Sequence, residues 1–363
     1  MSIPILEHKR IAIISTAVSP LGRGYGGGVE QDVLKFASWM IEAGADVEVF
    51  CPEGSVAPKE IHLRTVEGAL VKPIQFLTED RGKVEADTAL TEALRQIGKR
   101  AEEFDLVLNF SYDWPAFFQS YLSRVPILHY LSICSQTPEL DALIRDLSAF
   151  RPKALAVLNR EQLGTYEDAV PDRFTDLGYG LSLDRYRFRK KAEGKTVAWI
   201  GRITEEKGLE DALDFAERQN VRLRIFGVVQ DGEYWEGLKG KYSEETYEYV
   251  GFVDRGRLAE EIGECEALIF TPKWGEALGI VMLEAMACGV PVIAYDSPGP
   301  RHAVRHGQTG FVVPLGDVEA LCEAYKRIGN LDRQACRDRV ARDFSEEAWR
   351  NRALDWVKSG LKG

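Results

Sequence analysis

Residues 272–289 constrain the fold of this chain more than any other stretch. An apolar run at 267–270 leads into Pro272, a loop containing two glycines follows, and from Ile280 onward apolar residues recur at helical spacing. The stretch therefore predicts a strand, a glycine loop and a helix in succession. This is the repeating unit of a parallel sheet covered by helices.

Two carboxylates lie on either side of the predicted helix start. Glu276 is in the loop, and Glu284 lies about a turn and a half into the helix. Between them, the amides of Ala277, Leu278 and Gly279 are expected to be unpaired and able to hold an anion or a sugar hydroxyl. Because ligands of open α/β sheets bind at the carboxyl ends of strands, both carboxylates are predicted to face one cleft. The alternative is two solvated carboxylates.

Two cations follow a strand pattern at 196–200. The sequence there reads Gly-Arg-Ile-Thr-Glu-Glu-Lys-Gly, with Arg202 and Lys207 five residues apart at a predicted helix start. An arginine fork, a lysine point charge and the helix dipole can all favour one diphosphate. The alternative is a cation pair on the surface. A Walker loop is excluded, because Gly-x-x-x-x-Gly-Lys-Ser/Thr does not occur.

A glycine-rich loop at 19–28 follows the first strand pattern and precedes a helix that begins at Val29. Glycine permits close approach of the backbone to a phosphate, so Gly27 and Gly28 are candidate phosphate contacts. The alternative is a flexible connection. The next strand pattern ends in Cys51 and Pro52 rather than in an acid that could bind a nicotinamide ribose, which disfavours a dehydrogenase.

Strand and helix patterns alternate along most of the chain, which predicts an α/β fold with parallel sheets. At 363 residues the chain suits two domains of about 180 residues. The predicted strands are 10–16, 46–52, 105–111, 125–132, 153–159, 174–180, 196–200, 221–227, 248–253, 267–270 and 291–297. The predicted helices are 29–43, 85–103, 138–150, 317–328, 333–342 and 346–361.

Taken together, these motifs resemble the retaining glycosyltransferases of family 4. The resemblance covers almost the whole chain and is most specific from 201 to 314, which includes the tail Gly-Gln-Thr-Gly-Phe-Val-Val-Pro. It implies the GT-B fold, in which two Rossmann-like, doubly wound parallel-sheet domains face each other across a cleft. The implied domains are 1–182, which would bind the acceptor, and 183–344, which would bind the nucleotide sugar, with the helix at 345–363 returning to the first domain.

The resemblance also implies an activity and a set of roles. The enzyme would move a sugar from a nucleotide-diphosphate donor, most simply a UDP-sugar, to a small or glycan acceptor without metal or cofactor. The acceptor would attack on the face that the diphosphate leaves, and a phosphate oxygen would take its proton. The implied donor contacts are Arg202, Lys207, Gly27 and Gly28 at the diphosphate, Glu276 and the 277–279 amides at the sugar, Glu284 at the ribose, and the backbone of Gly251, Phe252 and Val253 at the base.

Acceptor residues are sought at the carboxyl ends of strands in the first half. Asn-Phe-Ser-Tyr-Asp-Trp at 109–114 combines polar and aromatic side chains that suit a carbohydrate, although ordinary loop polarity is equally compatible. The candidates are Asn109, Tyr112, Asp113, Trp114, His129 and Ser132. The family's cleft histidine aligns with Ser132, so His129 departs from the pattern. Arg301 and His302 replace the family's Pro-Glu and could instead meet an anionic group.

Composition and net charge argue against several classes of binding partner. The net charge of −11 argues against nucleic acid and against an anionic membrane surface, and no apolar run is long enough to span a bilayer, although peripheral membrane contact stays open. Six scattered cysteines without metal-ligand spacing predict reduced thiols and a cytoplasmic protein. Two other functions stay open: a nucleotide-sugar epimerase of the same architecture, and a catalytically silent carbohydrate-binding protein.

Overall fold

The computed structural model describes residues 5–23, 27–71 and 87–362. They form two compact units. Unit 1 comprises Met1–Gly178 together with Trp349–Gly363, and unit 2 comprises Tyr179–Ala348. The chain therefore leaves unit 1 after residue 178 and re-enters it at residue 349, four residues from each boundary predicted from the sequence.

Unit 1 contains a parallel sheet whose strand order, in the described residues, is β3-β2-β1-β4-β5-β6-β7. The order changes direction between β1 and β4, which are hydrogen-bonded neighbours. Such a switch point opens a crevice at the carboxyl ends of the two strands. The strands are β1 (Arg10–Ile14), β2 (Asp46–Pro52), β3 (His62–Val66), β4 (Leu106–Asn109), β5 (Ile127–Leu131), β6 (Leu155–Val157) and β7 (Thr175–Asp176), and the helices are α1 (Gly28–Glu42), α2 (Ala89–Lys99), α3 (Trp114–Leu122), α4 (Pro138–Phe150) and α5 (Arg160–Leu163).

Unit 2 repeats this plan with the order β10-β9-β8-β11-β12-β13. Here the switch point lies between β8 and β11, which pair in parallel. The strands are β8 (Thr196–Ile200), β9 (Arg222–Phe226), β10 (Tyr247–Gly251), β11 (Leu268–Phe270), β12 (Val292–Tyr295) and β13 (Gly310–Val313), and the helices are α6 (Leu209–Gln219), α7 (Gly232–Lys241), α8 (Arg255–Gly263), α9 (Ile280–Ala287), α10 (Pro298–Ala303), α11 (Val318–Tyr325) and α12 (Arg333–Asp343).

The strands are short and apolar because helices cover them. In unit 2 one cluster of buried side chains joins the central strands to α6 and α11, and the burial of its apolar surface is the main stabilising term. Its larger members are Trp199, Leu213, Phe215, Ile225, Ile269, Tyr295 and Phe311. Several helix starts are fixed by side-chain caps. In unit 1, for example, the Thr88 hydroxyl accepts a hydrogen bond from the Thr91 amide.

The last helix, α13 (Glu346–Gly360), belongs to unit 1 from Trp349 onward. The Trp349 ring is fully buried and packs edge-on against Phe36 and Trp39 of α1, with ring centroids 5.8 and 4.9 Å apart. The Trp356 indole N–H donates to the Lys153 carbonyl at 2.8 Å. No helix in the described part of the chain combines the length and the apolar character that a membrane span requires.

Several elements differ from the sequence-based prediction, and three of the differences have a clear physical reason. Strand β3 was not predicted, because its alternating, half-exposed pattern is weak. The strand predicted at 174–180 is wrong beyond Asp176, since Gly178 has a φ of 62° and turns the backbone out of the sheet. The helix predicted at 317–328 ends at Tyr325, and a separate 3₁₀ turn follows at Ile328–Asn330.

Candidate active site

The switch point of unit 2 brings the two strongest sequence motifs to one edge of the sheet. Strand β8 ends at Ile200, so Arg202 follows its carboxyl end directly. Strand β11 ends at Phe270, and the loop that carries Glu276 follows. Since β8 and β11 are neighbours, both loops leave the sheet at the position where open α/β sheets bind ligands.

Lys207 and Glu276 contact each other directly. The Lys207 ammonium donates to Glu276 Oε2 at 3.0 Å, and the two side chains are 17% and 18% exposed. The same ammonium lies over the Trp274 ring, 4.7 Å from its centroid. A cation predicted to bind phosphate and a carboxylate predicted to bind sugar hydroxyls, 69 residues apart in sequence, therefore form one cluster.

Backbone contacts lock the two loops together beneath this cluster. Gly208, next to Lys207, has a φ of 66°, and a Cβ built on it would lie 2.0 Å from the Thr271 carbonyl oxygen. Only glycine fits at such an approach. The Thr271 hydroxyl donates to the Gly208 carbonyl at 2.8 Å, and the Lys273 amide donates to the Glu206 carbonyl at 2.8 Å. These contacts between the loop after β8 and the loop after β11 therefore hold the Lys207–Glu276 pair in place.

Arg202 is also positioned by polar partners. Its Nη1 donates to Gln230 Oε1 at 3.1 Å, and its Nη2 lies 3.7 Å from Glu206 Oε1. The guanidinium is partly exposed, with 24% of its side-chain surface accessible. Arg202 and Lys207 therefore each have a carboxylate neighbour, which an incoming anion would displace or join.

The start of α9 carries the predicted backbone donors. Gly279 caps the helix with a φ of 71°, a left-handed conformation that favours glycine over residues with a side chain. The side chains of Ala277 and Leu278 are buried. Within the described residues, the amides of Leu278 and Gly279 donate no hydrogen bond. They can donate hydrogen bonds to an anion or to a hydroxyl oxygen of a ligand.

Glu284 is buried, with 4% of its surface exposed. Tyr186 donates its hydroxyl to Glu284 Oε1 at 2.9 Å. The tyrosine precedes β8 in the segment predicted to be the linker between the domains, 98 residues from the carboxylate. This hydrogen bond fixes the orientation of the carboxylate that is predicted to bind ribose hydroxyls.

The end of β10 is the predicted contact for the base. Gly251 has a φ of 83°, and its carbonyl accepts a hydrogen bond from the Gly227 amide at 2.9 Å. Phe252 is 66% exposed and Val253 is partly exposed. The exposed aromatic side chain lies at the same edge of the sheet as Arg202, two strands away from β8.

The predicted phosphate contacts of unit 1 lie at the start of α1. Gly27 has a φ of 79° and caps the helix, which begins at Gly28. The loop is braced by Ser19, whose hydroxyl donates to the fully buried Glu30 at 2.8 Å. Residues 24–26 of the predicted glycine loop lie outside the described residues. The assignment of Gly27 and Gly28 to a diphosphate stays a prediction.

Of the acceptor candidates, His129 and Asn109 form a buried network. Asn109 Nδ2 donates to His129 Nδ1 at 3.0 Å, so the histidine carries its proton on Nε2, 2.7 Å from Ser120 Oγ. Burial lowers the pKa of His129 to about 3, and the ring stacks on Phe117. As His129 has no exposed surface, it supports the carboxyl end of β4 rather than offering a nitrogen to a ligand.

The other acceptor candidates are more accessible. Tyr112 is partly buried and donates to Tyr166 Oη at 3.2 Å, and burial raises its pKa. Burial also raises the pKa of Asp113, which accepts a hydrogen bond from the Ser111 hydroxyl. Trp114 is 46% exposed, and Ser132 follows β5 with partial exposure. These four residues stay predictions for the acceptor.

Arg301 and His302 have partners within unit 2. The Arg301 guanidinium binds both oxygens of Asp296, at 2.5 and 2.7 Å. The His302 ring packs edge-on against Phe344, with centroids 5.5 Å apart. An anion would have to compete with Asp296 for the arginine.

Two residues of this site were not predicted from the sequence. Tyr186 carries no local signal, because its partner Glu284 is distant in sequence. Trp274 lies inside the 272–289 stretch, two residues before Glu276, and an aromatic side chain in a loop predicted to bind a ligand was the available signal. Among the described residues, no group of three or more His, Cys, Asp or Glu side chains is arranged to hold a metal ion.

Comparison with known proteins finds one family match and several relatives. Residues 183–346 match the family model described as "Glycosyl transferases group 1". The D-inositol 3-phosphate glycosyltransferase of Streptomyces scabiei is 26% identical over 373 aligned residues, covering 86% of this chain and 82% of that protein. The exopolysaccharide phosphotransferase of Streptomyces coelicolor is 35% identical over 153 residues, which are 39% of this chain and 16% of that protein.

Solved structures show the same fold. Anabaena HepE in complex with UDP and glucose superposes with a TM-score of 0.74 at 17% identity, covering 97% of this chain and all of that one. Sucrose-phosphate synthase of Thermosynechococcus elongatus gives a TM-score of 0.78 at 18% identity, covering 97% and 99% of the two chains. The predicted fold of two Rossmann-like α/β domains is confirmed.

Proposed function

We propose that this chain transfers a sugar from a UDP-sugar to a small or glycan acceptor, with retention and without a metal. The match of residues 183–346 to the family model of the group 1 glycosyltransferases is the premise of this proposal. The single observation that carries this proposal is the Lys207–Glu276 pair at the switch point of unit 2. It unites the cation and the carboxylate that a sugar linked to a diphosphate requires. The transfer would take place in the cytoplasm.

The chemistry follows from where charge develops. When the anomeric C–O bond breaks, its electron pair goes to the diphosphate, and the acceptor oxygen bonds to the same carbon while its proton passes to a phosphate oxygen. Arg202, Lys207 and the amides of Leu278 and Gly279 would stabilise the growing negative charge. Such preorganised donors are usually the largest catalytic contribution. With the charge met by side chains and amides, the reaction needs no metal.

The donor would exchange partners with groups already in the site. Lys207 is bound to Glu276 in the structure, so a diphosphate that takes the ammonium would free the carboxylate for sugar hydroxyls. Glu284, oriented by Tyr186, would accept hydrogen bonds from both ribose hydroxyls. The UDP complexed with Anabaena HepE supports a uridine donor for this chain.

Two sets of measurements test the proposal. Arg202→Ala and Lys207→Ala should each lose most of the turnover, because each removes a donor that stabilises the leaving group. Glu284→Gln should weaken binding of free UDP in calorimetry, whereas Glu276→Ala should chiefly reduce turnover of the intact donor. Near-normal turnover in both cation variants would contradict the phosphate assignment, and reversed effects of the two glutamates would exchange their roles.

The donor and the reaction class need separate experiments. A thermal-shift panel of UDP-, GDP- and ADP-sugars identifies the base, since a ligand at a hundred times its dissociation constant adds about 2.7 kcal/mol of stability. Incubation without acceptor separates an epimerase, which would yield a new nucleotide sugar. A silent binding protein would neither transfer nor hydrolyse the donor. Turnover in excess chelator should match turnover with added magnesium.

A further inference from the structure

Trp274 lies in the loop between β11 and α9 and contacts Lys207 through its ring face. The ammonium nitrogen is 4.7 Å from the ring centroid, within the range of a cation–π interaction. Its indole nitrogen Nε1 is buried and, within the described part of the chain, has no hydrogen-bond partner. A buried indole N–H usually finds an acceptor, so the position of this ring is governed by something other than its polar tip.

The backbone around Trp274 leaves the ring little freedom to move away. On one side, the Lys273 amide donates to the Glu206 carbonyl at 2.8 Å, which ties the loop to the turn that carries Lys207. On the other side, the Gly299 amide donates to the Glu276 carbonyl at 2.8 Å. The indole is therefore held between two fixed points of the backbone, facing the ammonium.

The two partners of Lys207 act differently on its charge. Glu276 neutralises the ammonium and competes for it with a diphosphate that binds. The face of an indole attracts the ammonium through its quadrupole but carries no net charge, so it leaves the positive charge available to phosphate oxygens. A ring of this kind can keep the lysine in place before, during and after the exchange of its anionic partner.

We propose that Trp274 is the positioning residue for Lys207, holding the ammonium where the donor's diphosphate binds without neutralising it. The proposal rests on the proposed function, since it assumes that Lys207 meets the diphosphate. It adds a residue that touches the lysine rather than the substrate. It also accounts for a large aromatic side chain that stays beside the site although its N–H has no partner among the described residues.

A double-mutant cycle with UDP as the probe tests the coupling. Trp274→Leu should weaken UDP binding by about 2- to 30-fold in calorimetry, the range of one cation–π contact. Trp274→Phe keeps a ring face and should restore most of the affinity. In a Lys207→Met background, Trp274→Leu should change UDP affinity by less than about twofold, because no cation is left to position. Lys273→Met is the matched control for the loss of a positive charge from the same segment.

The outcomes separate this inference from the proposed function. If Lys207→Met leaves UDP affinity unchanged, the phosphate assignment itself fails. If Lys207→Met weakens binding but Trp274→Leu weakens it equally in both backgrounds, or Trp274→Phe restores nothing, the positioning role is overturned and the proposed function stands. Melting temperatures are measured for every variant, and Trp274→Met replaces the leucine variant if that protein does not fold.

Discussion

Replacing Glu276 by glutamine should tighten the binding of free UDP while it slows transfer of the sugar. In the structure the Glu276 carboxylate holds the Lys207 ammonium at 3.0 Å. UDP has a diphosphate but no sugar, so it competes with Glu276 for the lysine and gains nothing from the carboxylate. Glutamine keeps the size of the side chain and removes the charge.

The size of the effect follows from the burial of the pair. The two side chains are 17% and 18% exposed, between a surface ion pair, worth about 0.2–1 kcal/mol, and a fully buried pair, whose disruption costs about 3–5 kcal/mol. An intermediate value of about 1–2 kcal/mol corresponds to roughly 5- to 30-fold tighter UDP binding, since 1.4 kcal/mol is a factor of ten.

Isothermal calorimetry with UDP at two salt concentrations provides the measurement. Glu205→Gln is the matched control, because Glu205 is an exposed carboxylate in the same turn as Lys207 and its removal changes the net charge equally. We expect that control to shift UDP affinity by less than about twofold, since exposed charges are screened by solvent and salt. Unchanged or weaker UDP binding by Glu276→Gln would refute the idea that the two groups compete for one cation.

Two further predictions concern stability. Gly208→Ala should lower the melting temperature of unit 2 by about 4–8 °C, because a left-handed alanine and a Cβ 2.0 Å from the Thr271 carbonyl oxygen together cost about 2 kcal/mol or more. Gly232→Ala is the control, because Gly232 has open space around it and a helical backbone. Equal melting temperatures of the two variants would contradict the close approach. Burial lowers the pKa of His129 to about 3, so between pH 6.5 and 3 the unfolded chain binds a proton that the folded chain does not, and acid lowers stability. The free energy of unfolding measured in urea should fall by about 2 kcal/mol through this group between pH 7 and 5. His129→Gln should show a correspondingly flatter pH dependence.

The sequence predicts the repeating elements of this fold well because their signals are local. Helix α4 is bounded by Thr137 and a proline at its start, and β8 is a short apolar run that ends in glycine, so both were predicted at their observed bounds. The half-exposed β3 carries no strong pattern. Its position depends on pairing with β2, a contact between segments that no local window contains.

The candidate site was predictable to the level of its motifs but not of its contacts. Spacing alone placed Arg202, Lys207 and Glu276 at strand ends, and the order of the strands then brings those ends together. The hydrogen bond from Tyr186 to Glu284 and the ring beneath Lys207 arise from tertiary packing. His129 shows the reverse case, in which a residue type suited to catalysis is enclosed by its neighbours and kept neutral.

Because Trp349 and the end of α13 belong to unit 1, this unit cannot complete its folding until after unit 2 has been synthesised. The rings of Phe36 and Trp39 on α1 stay without this cover until the 170 residues of unit 2 have left the ribosome. During synthesis, unit 2 can fold as a continuous segment, whereas the Phe36 and Trp39 rings of unit 1 stay uncovered until Trp349 has been synthesised. Chaperones and proteases would bind these uncovered aromatic side chains first. A chain that terminates prematurely near residue 348 should therefore be degraded from unit 1 rather than from unit 2, although unit 1 is synthesised first.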